Sequence, residues 1–161
     1  MQVTLKGRPC QTNGTLPKVG TKAKDFTLVD KSLNEKSLKD FPGNKLILTV
    51  PSLDTGVCLT SAKKFNKLAK GLPVLFVSAD LPFAGARVCS SENLTHVHTL
   101  SMMANREFAA DYGVLLTDGP LKGLSARSVI ALDEENKVIY TELVEEISNE
   151  PDYEKAINAF S

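Results

Sequence analysis

Neither sign of charge prevails in this chain: nineteen lysines and arginines balance nineteen aspartates and glutamates over 161 residues. Without a basic excess there is no footprint of a nucleic-acid binder, and that class is set aside. Long apolar runs are missing too. The two longest, LILTV ending at Val50 and LPVLFV ending at Val77, fall far short of the ~20 residues that span a bilayer, so no membrane partner is expected. The opening MQVTLKGRPCQTNG lacks the apolar core of a signal peptide, which predicts a cytoplasmic protein. Cysteine is scarce: Cys10, Cys58 and Cys89 are an odd, widely spaced set, which excludes a secreted disulfide framework. Two histidines, His96 and His98, are too few for a structural zinc site, so no metal is expected. The glycines of DGPLKGL match no phosphate-binding fingerprint and read as a turn, and no cofactor is expected either.

What remains is an ordinary globular composition, 42% hydrophobic and 24% charged, with no repeat, low-complexity tract or linker. One domain over residues 1–161 is expected. QVTLKGRPCQ alternates around a glycine and predicts a short hairpin; DFTLVD and KLILTV predict strands, the second buried on both faces. From Leu59 to Leu72 the period is helical, with Ala62, Phe65, Leu68 and Ala69 on one face and Lys63, Lys64, Lys67 and Lys70 opposite. LPVLFVSAD follows as another buried strand, which makes a β–α–β unit with parallel strands. NREFAADYG predicts a helix stopped at Gly113. SVIALDEENKVIYTELV predicts an antiparallel hairpin, EEISNEP a helix start, and PDYEKAINAF a closing helix with Pro151 in its first turn. Together these predict an α/β thioredoxin-like sandwich: a central mixed sheet flanked by helices, with an N-terminal β-hairpin.

The stretch PSLDTGVC, residues 51–58, joins a central strand to the mouth of a helix. Ligands of α/β folds bind outside the carboxyl ends of the strands, and a helix N-terminus offers unpaired N–H groups and a positive dipole end. Such positions favour reactive thiolates. Thr55, three residues before Cys58, is placed to cap the helix or to donate to the sulfur. The residues alone leave two readings open: a reactive thiol, or a buried inert one beside a simple cap.

PSLDTGVC contains Pro-x-x-x-Thr-x-x-Cys and resembles the active-site signature of peroxiredoxins; with KFN at 64–66 it is similar to their bacterial thiol peroxidase branch. SADLPFAGARVC (78–89), DGPLKGLSARSV (118–129) and NEPDYEKAI (149–157) agree with that branch, in the expected order. The resemblance implies that Cys58 is the peroxidatic nucleophile. Thr55 and Arg127 then partner its sulfur and the peroxide oxygens, and Pro51 and Val57 line the substrate pocket. It also implies that Cys89 resolves the oxidised sulfur by an intramolecular Cys58–Cys89 disulfide. A thioredoxin reductant, a homodimer and a preference for alkyl hydroperoxides are implied in the same way. Cys10 matches no motif and reads as a bystander, and Arg127 without the resemblance is a plain surface charge.

The chemistry suits these residues. A thiolate attacks an O–O bond, leaving Cys–SOH and an alcohol or water. Ionisation alone raises the thiolate fraction while lowering nucleophilicity, so donors for the leaving oxygen must do more. Thr55, Arg127 and the N–H groups near Val57 and Cys58 are candidates. Thirty residues lie between Cys58 and Cys89, and a disulfide needs Cα atoms within about 7 Å. Local unfolding is therefore expected around both, with FAGARVCSSEN as a mobile element. Two rivals stand. A disulfide oxidoreductase would carry Cys-x-x-Cys, but position 61 is Ser61. A peroxide-sensing switch would oxidise once without turnover.

Overall fold

The computed structural model describes all residues from Met1 to Ser161. Nine strands and four α-helices follow in the order β1 (Gln2–Leu5), β2 (Arg8–Gln11), β3 (Leu28–Asp30), β4 (Glu35–Lys36), β5 (Lys45–Thr49), α1 (Gly56–Leu68), β6 (Val74–Ser78), α2 (Pro82–Ser91), β7 (Val97–Ser101), α3 (Glu107–Asp111), β8 (Ser128–Leu132), β9 (Val138–Leu143) and α4 (Tyr153–Asn158). Seven strands form one sheet in the order β4-β3-β7-β6-β5-β8-β9, and β1-β2 form a separate two-stranded sheet. β5, β6 and β7 run parallel at the centre, with antiparallel neighbours on both sides. The expected mixed α/β sandwich with an N-terminal hairpin is the observed architecture.

β5, β6 and β8 are buried along their whole length, as continuous apolar runs require of strands covered on both faces. Two apolar clusters lie on the two sides of the sheet. One gathers Phe26, Ile47, Leu75, Phe108 and Ile130; the other gathers Leu46, Leu48, Phe65, Phe76 and Val129 with Cys58 among them. Alternate residues of β5 thus feed opposite cores, the period-2 signature of a strand.

Several local expectations shift. α1 starts at Gly56 and ends before Lys70 and Gly71, both at positive φ, so Leu72 lies beyond it and Leu68 is 42% exposed. FAGARVCSSEN, expected to be a mobile element, lies in α2 as far as Ser91: Pro82 opens the helix, and Val88 and Cys89 are buried. Pro151 precedes the α4 cap instead of entering its first turn, because Asp152 accepts from Lys155 N at 3.1 Å. EEISNEP starts no helix. The Glu146 carboxylate within it accepts from the Lys6 and Gly7 amides and from Thr4 Oγ1, which fastens the N-terminal hairpin to residues 145–148.

Candidate active site

β5 delivers the chain to the site through Val50 and Pro51, both buried. The loop then turns into α1, where Thr55 is the N-cap with extended backbone angles and Oγ1 accepts from Cys58 N at 3.3 Å. The hydroxyl oxygen thus caps the helix, and it lies 3.5 Å from the Ser52 carbonyl, an acceptor for its hydrogen. The Cys58 N–H is taken up by this cap, so it is not a free donor for a substrate oxygen.

Arg127 reaches the same place from the other side. β8 pairs antiparallel with β5 with Thr49 opposite Ser128, which sets Arg127 across from Val50. The Thr49 hydroxyl donates to the Ala126 carbonyl at 2.9 Å and meets Ser128 Oγ at 2.6 Å, which locks the register there. Arg127 is only 2% exposed. Its Nε donates to the Ile147 carbonyl at 3.0 Å and its Nη1 to Cys58 Sγ at 3.3 Å. A plain surface charge is thereby excluded: this guanidinium is buried, and a fixed fork holds it against a sulfur that is itself fully buried.

An open groove of about 440 Å³ lies at the mouth of α1, lined by Gly56, Val57, Thr60, Ser148, Asn149 and Glu150. Val57 lines it; Pro51 is buried and is not among its lining residues. Glu150 bonds Lys64 Nζ at 2.9 Å and the Tyr153 hydroxyl at 2.8 Å. The Lys64 bond, then the Tyr153 bond, holds the Glu150 carboxyl below the usual carboxylate range. Burial first, and then the Glu150 contact, pushes the Tyr153 phenol up, so it stays a neutral donor. Tyr153 also reaches Ser61 Oγ at 3.1 Å, one helical turn past Cys58.

Cys89 lies on α2, 5% exposed, with Sγ 3.8 Å from Thr99 Oγ1. All three cysteines are free thiols. Gly85 lets α2 sit this close to β7, since a Cβ there would meet Thr99 Oγ1 at 2.4 Å. Cys10 is buried under Gly119, on the other side of the sheet from Cys58. A larger cavity of about 570 Å³ opens at the N-terminal ends of β6 and β7, lined by His96, His98, Lys31 and Lys36 among others. No cysteine and not Arg127 line it, so its size does not make it the reactive site.

Two contributors were invisible in the sequence. The Ile147 carbonyl that orients Arg127 is backbone, which no residue-type pattern reveals. Asp80, in SADLP, accepts from Ser52 Oγ at 2.9 Å and Leu53 N at 2.6 Å and so ties down the Cys58 loop. Its only sequence signal is a carboxylate just after a buried strand.

The redoxin family profile matches residues 18–157. A thiol peroxidase from Corynebacterium glutamicum is 49% identical over 98% of this chain and 97% of its own length. The crystal structure of a peroxiredoxin-like protein from Aquifex aeolicus superposes with TM-score 0.88 at 43% identity, covering 98% of this chain and 94% of that one. A thiol peroxidase from Chromobacterium violaceum superposes with TM-score 0.91 at 26% identity, covering 99% and 95%. No helix of the chain is long and apolar enough to cross a membrane. A buried thiol under a capped helix mouth, a buried arginine on its sulfur and these relatives lead to one assignment: the chain belongs to the redoxin family.

Proposed function

We propose that this chain is a thiol-dependent peroxidase that reduces hydrogen peroxide and alkyl hydroperoxides, acting as a single thioredoxin-like unit. The observation that carries this reading is the Arg127 Nη1–Cys58 Sγ contact of 3.3 Å between two buried groups at the first turn of α1. The Cys58 sulfur attacks the outer peroxide oxygen as a thiolate. An S–O bond forms, the O–O bond breaks, and the leaving alkoxide takes a proton to become an alcohol or water. Arg127 faces the charge that moves from sulfur to oxygen, which is where a preorganised donor is worth most.

The Cys58 sulfenic acid is then resolved by Cys89: an S–S bond forms, the S–O bond breaks, and the hydroxyl departs as water with the Cys89 proton. A dithiol reductant of the thioredoxin type reduces the disulfide and becomes oxidised itself. Both thiols are buried in formed helices, so this step requires both helices to open locally. Three free thiols and dependence on such a reductant suit the cytoplasm. Leu81, Phe83 and Met103 are 53%, 64% and 40% exposed at the C-terminal ends of β6 and β7, an apolar face suited to a second copy in a homodimer.

The test is turnover with thioredoxin, its reductase and excess hydroperoxide. Many equivalents are consumed by the native chain, none by Cys58→Ser, and only one or two by Cys89→Ser, which stops at the sulfenic or sulfinic acid. Consumption of a single equivalent by the native chain would instead make it a sensor.

A further inference from the structure

Asp80 follows β6 and precedes the first residue of α2 by two positions, so it stands at the root of the helix that carries Cys89. Its carboxylate points the other way, to the loop that carries Cys58. Oδ1 accepts from Ser52 Oγ at 2.9 Å; Oδ2 accepts from Leu53 N at 2.6 Å and Ser78 Oγ at 2.7 Å. The backbone of Asp80 is itself held to the sheet, its carbonyl accepting from Ser101 Oγ at 2.6 Å. Ser52 passes the restraint on. Its Oγ accepts from Asp54 N at 3.2 Å and its carbonyl from Thr55 Oγ1 at 3.5 Å, and Thr55 caps Cys58 N. One carboxylate anchored on β6 and β7 therefore sets the position of the first turn of α1.

Two ion pairs also tie the cysteine-bearing segments, Arg87–Asp54 at 3.3 Å and Lys63–Glu92 at 2.7 Å. Three of their four side chains are more than half exposed, and such pairs contribute little. Hydrogen bonds to a half-buried charged acceptor are worth more, up to roughly a ten- to hundredfold factor in an opening equilibrium for each. The carboxylate is the tie that matters.

We propose that Asp80 is a positioning residue that clasps the Cys58 loop to the root of the Cys89 helix. It holds the closed, peroxide-reactive arrangement against the open one in which the two sulfurs join. This rests on the reading of Cys58 and Cys89 as the two thiols of the cycle. The clasp must release before the disulfide forms, so its strength decides how long the Cys58 sulfenic acid stays closed and exposed to a second peroxide. That second peroxide oxidises it to the sulfinic acid and is itself reduced to alcohol or water.

The experiment compares the native chain with Asp80→Ala, Asp80→Asn and Ser52→Ala. Rapid quenching and intact mass follow thiol, sulfenic acid, disulfide and sulfinic acid after a hydroperoxide pulse. Amide exchange is measured on the reduced proteins. Asp80→Ala is expected to speed disulfide formation about tenfold or more, to slow the peroxide step, and to lower sulfinic acid yield. Exchange at residues 53–60 rises while exchange in β8 stays as in the native chain. Ser52→Ala, the milder change, shifts every readout the same way by less, and Asp80→Asn, which keeps an acceptor, falls between. Disulfide formation that is unchanged or slower in both Asp80→Ala and Ser52→Ala overturns the clasp, as does exchange that rises equally everywhere. If the native chain itself forms no Cys58–Cys89 disulfide, the two-thiol reading fails first. Unchanged exchange at 53–60 in the variants then rejects the clasp independently.

Discussion

Replacing Arg127 by methionine removes one cation and leaves a side chain of comparable reach. Two hydrogen bonds go, Nε to the Ile147 carbonyl at 3.0 Å and Nη1 to Cys58 Sγ at 3.3 Å. Their consequences separate. The first is structural: a buried carbonyl loses its donor, which costs about 1–3 kcal/mol, partly offset because a buried guanidinium no longer has to be desolvated. The second is chemical. Loss of one preorganised donor at a site of developing negative charge costs about a hundred- to a thousandfold in rate, or ~2.7–4 kcal/mol of barrier. Arg127→Lys restores the charge but not the fork, since one ammonium cannot reproduce the paired reach of Nε and Nη1. The lysine variant is therefore expected between native and methionine in peroxide reactivity. The assay is the second-order rate of peroxide consumption with reductant in excess, paired with thermal melts. An Arg127→Met protein that melts like the native chain and reacts within about threefold of its rate would refute the role given to this arginine.

Thr55→Ala removes the α1 cap and should cost ~1 kcal/mol, or about 2–4 °C in melting temperature for a chain of this size, with Thr55→Ser restoring most of it; calorimetry decides. Gly85→Ala places a Cβ 2.4 Å from Thr99 Oγ1 and 2.9 Å from Thr99 Cβ, which forces α2 off β7. Cys89 should then react faster with iodoacetamide at a stability cost of about 1–3 kcal/mol, and an unchanged labelling rate would contradict that packing. The Glu146 carboxyl is held well below the usual carboxylate range, by Ser148 first and then by Thr4, Gly7 and Lys6. A depressed folded-state value means stability that is present above the unfolded value of ~4.3 and fades as pH falls below it. Hairpin amides at Lys6 and Gly7 should therefore lose exchange protection steadily as pH falls below about 4.3, whereas Glu146→Gln is expected to leave them poorly protected on both sides of that value.

The central elements were legible because their signals are strong and local. KLILTV and LPVLFV are apolar runs that only doubly covered strands explain, and the lysine face opposite Ala62 and Phe65 fixes α1. Cys58 and Thr55 were legible from one loop, since cap spacing is a sequence property. Arg127 was legible only through the family resemblance, because its neighbourhood arises from strand register 69 residues away from Cys58. Short elements escaped for a similar reason. β4 has two residues, and its pairing with β3 is a tertiary fact with no periodicity of its own. EEISNEP misled because a Glu after a polar run reads as a helix start, while the fold spends that carboxylate on the N-terminal hairpin. Asp80 escaped because a carboxylate after a strand is usually solvated, and only the approach of Ser52 and Leu53 gives it partners.

The proposed cycle rests on the Cys58 sulfur meeting peroxide and the Cys89 sulfur resolving it. The direct measurement adds one equivalent of an alkyl hydroperoxide to the reduced chain, then takes an intact mass and a non-reducing peptide map. Loss of two hydrogens, with a single link between the Cys58 and Cys89 peptides and Cys10 still alkylatable, is the predicted result. Unoxidised Cys58, or a link through Cys10, contradicts it.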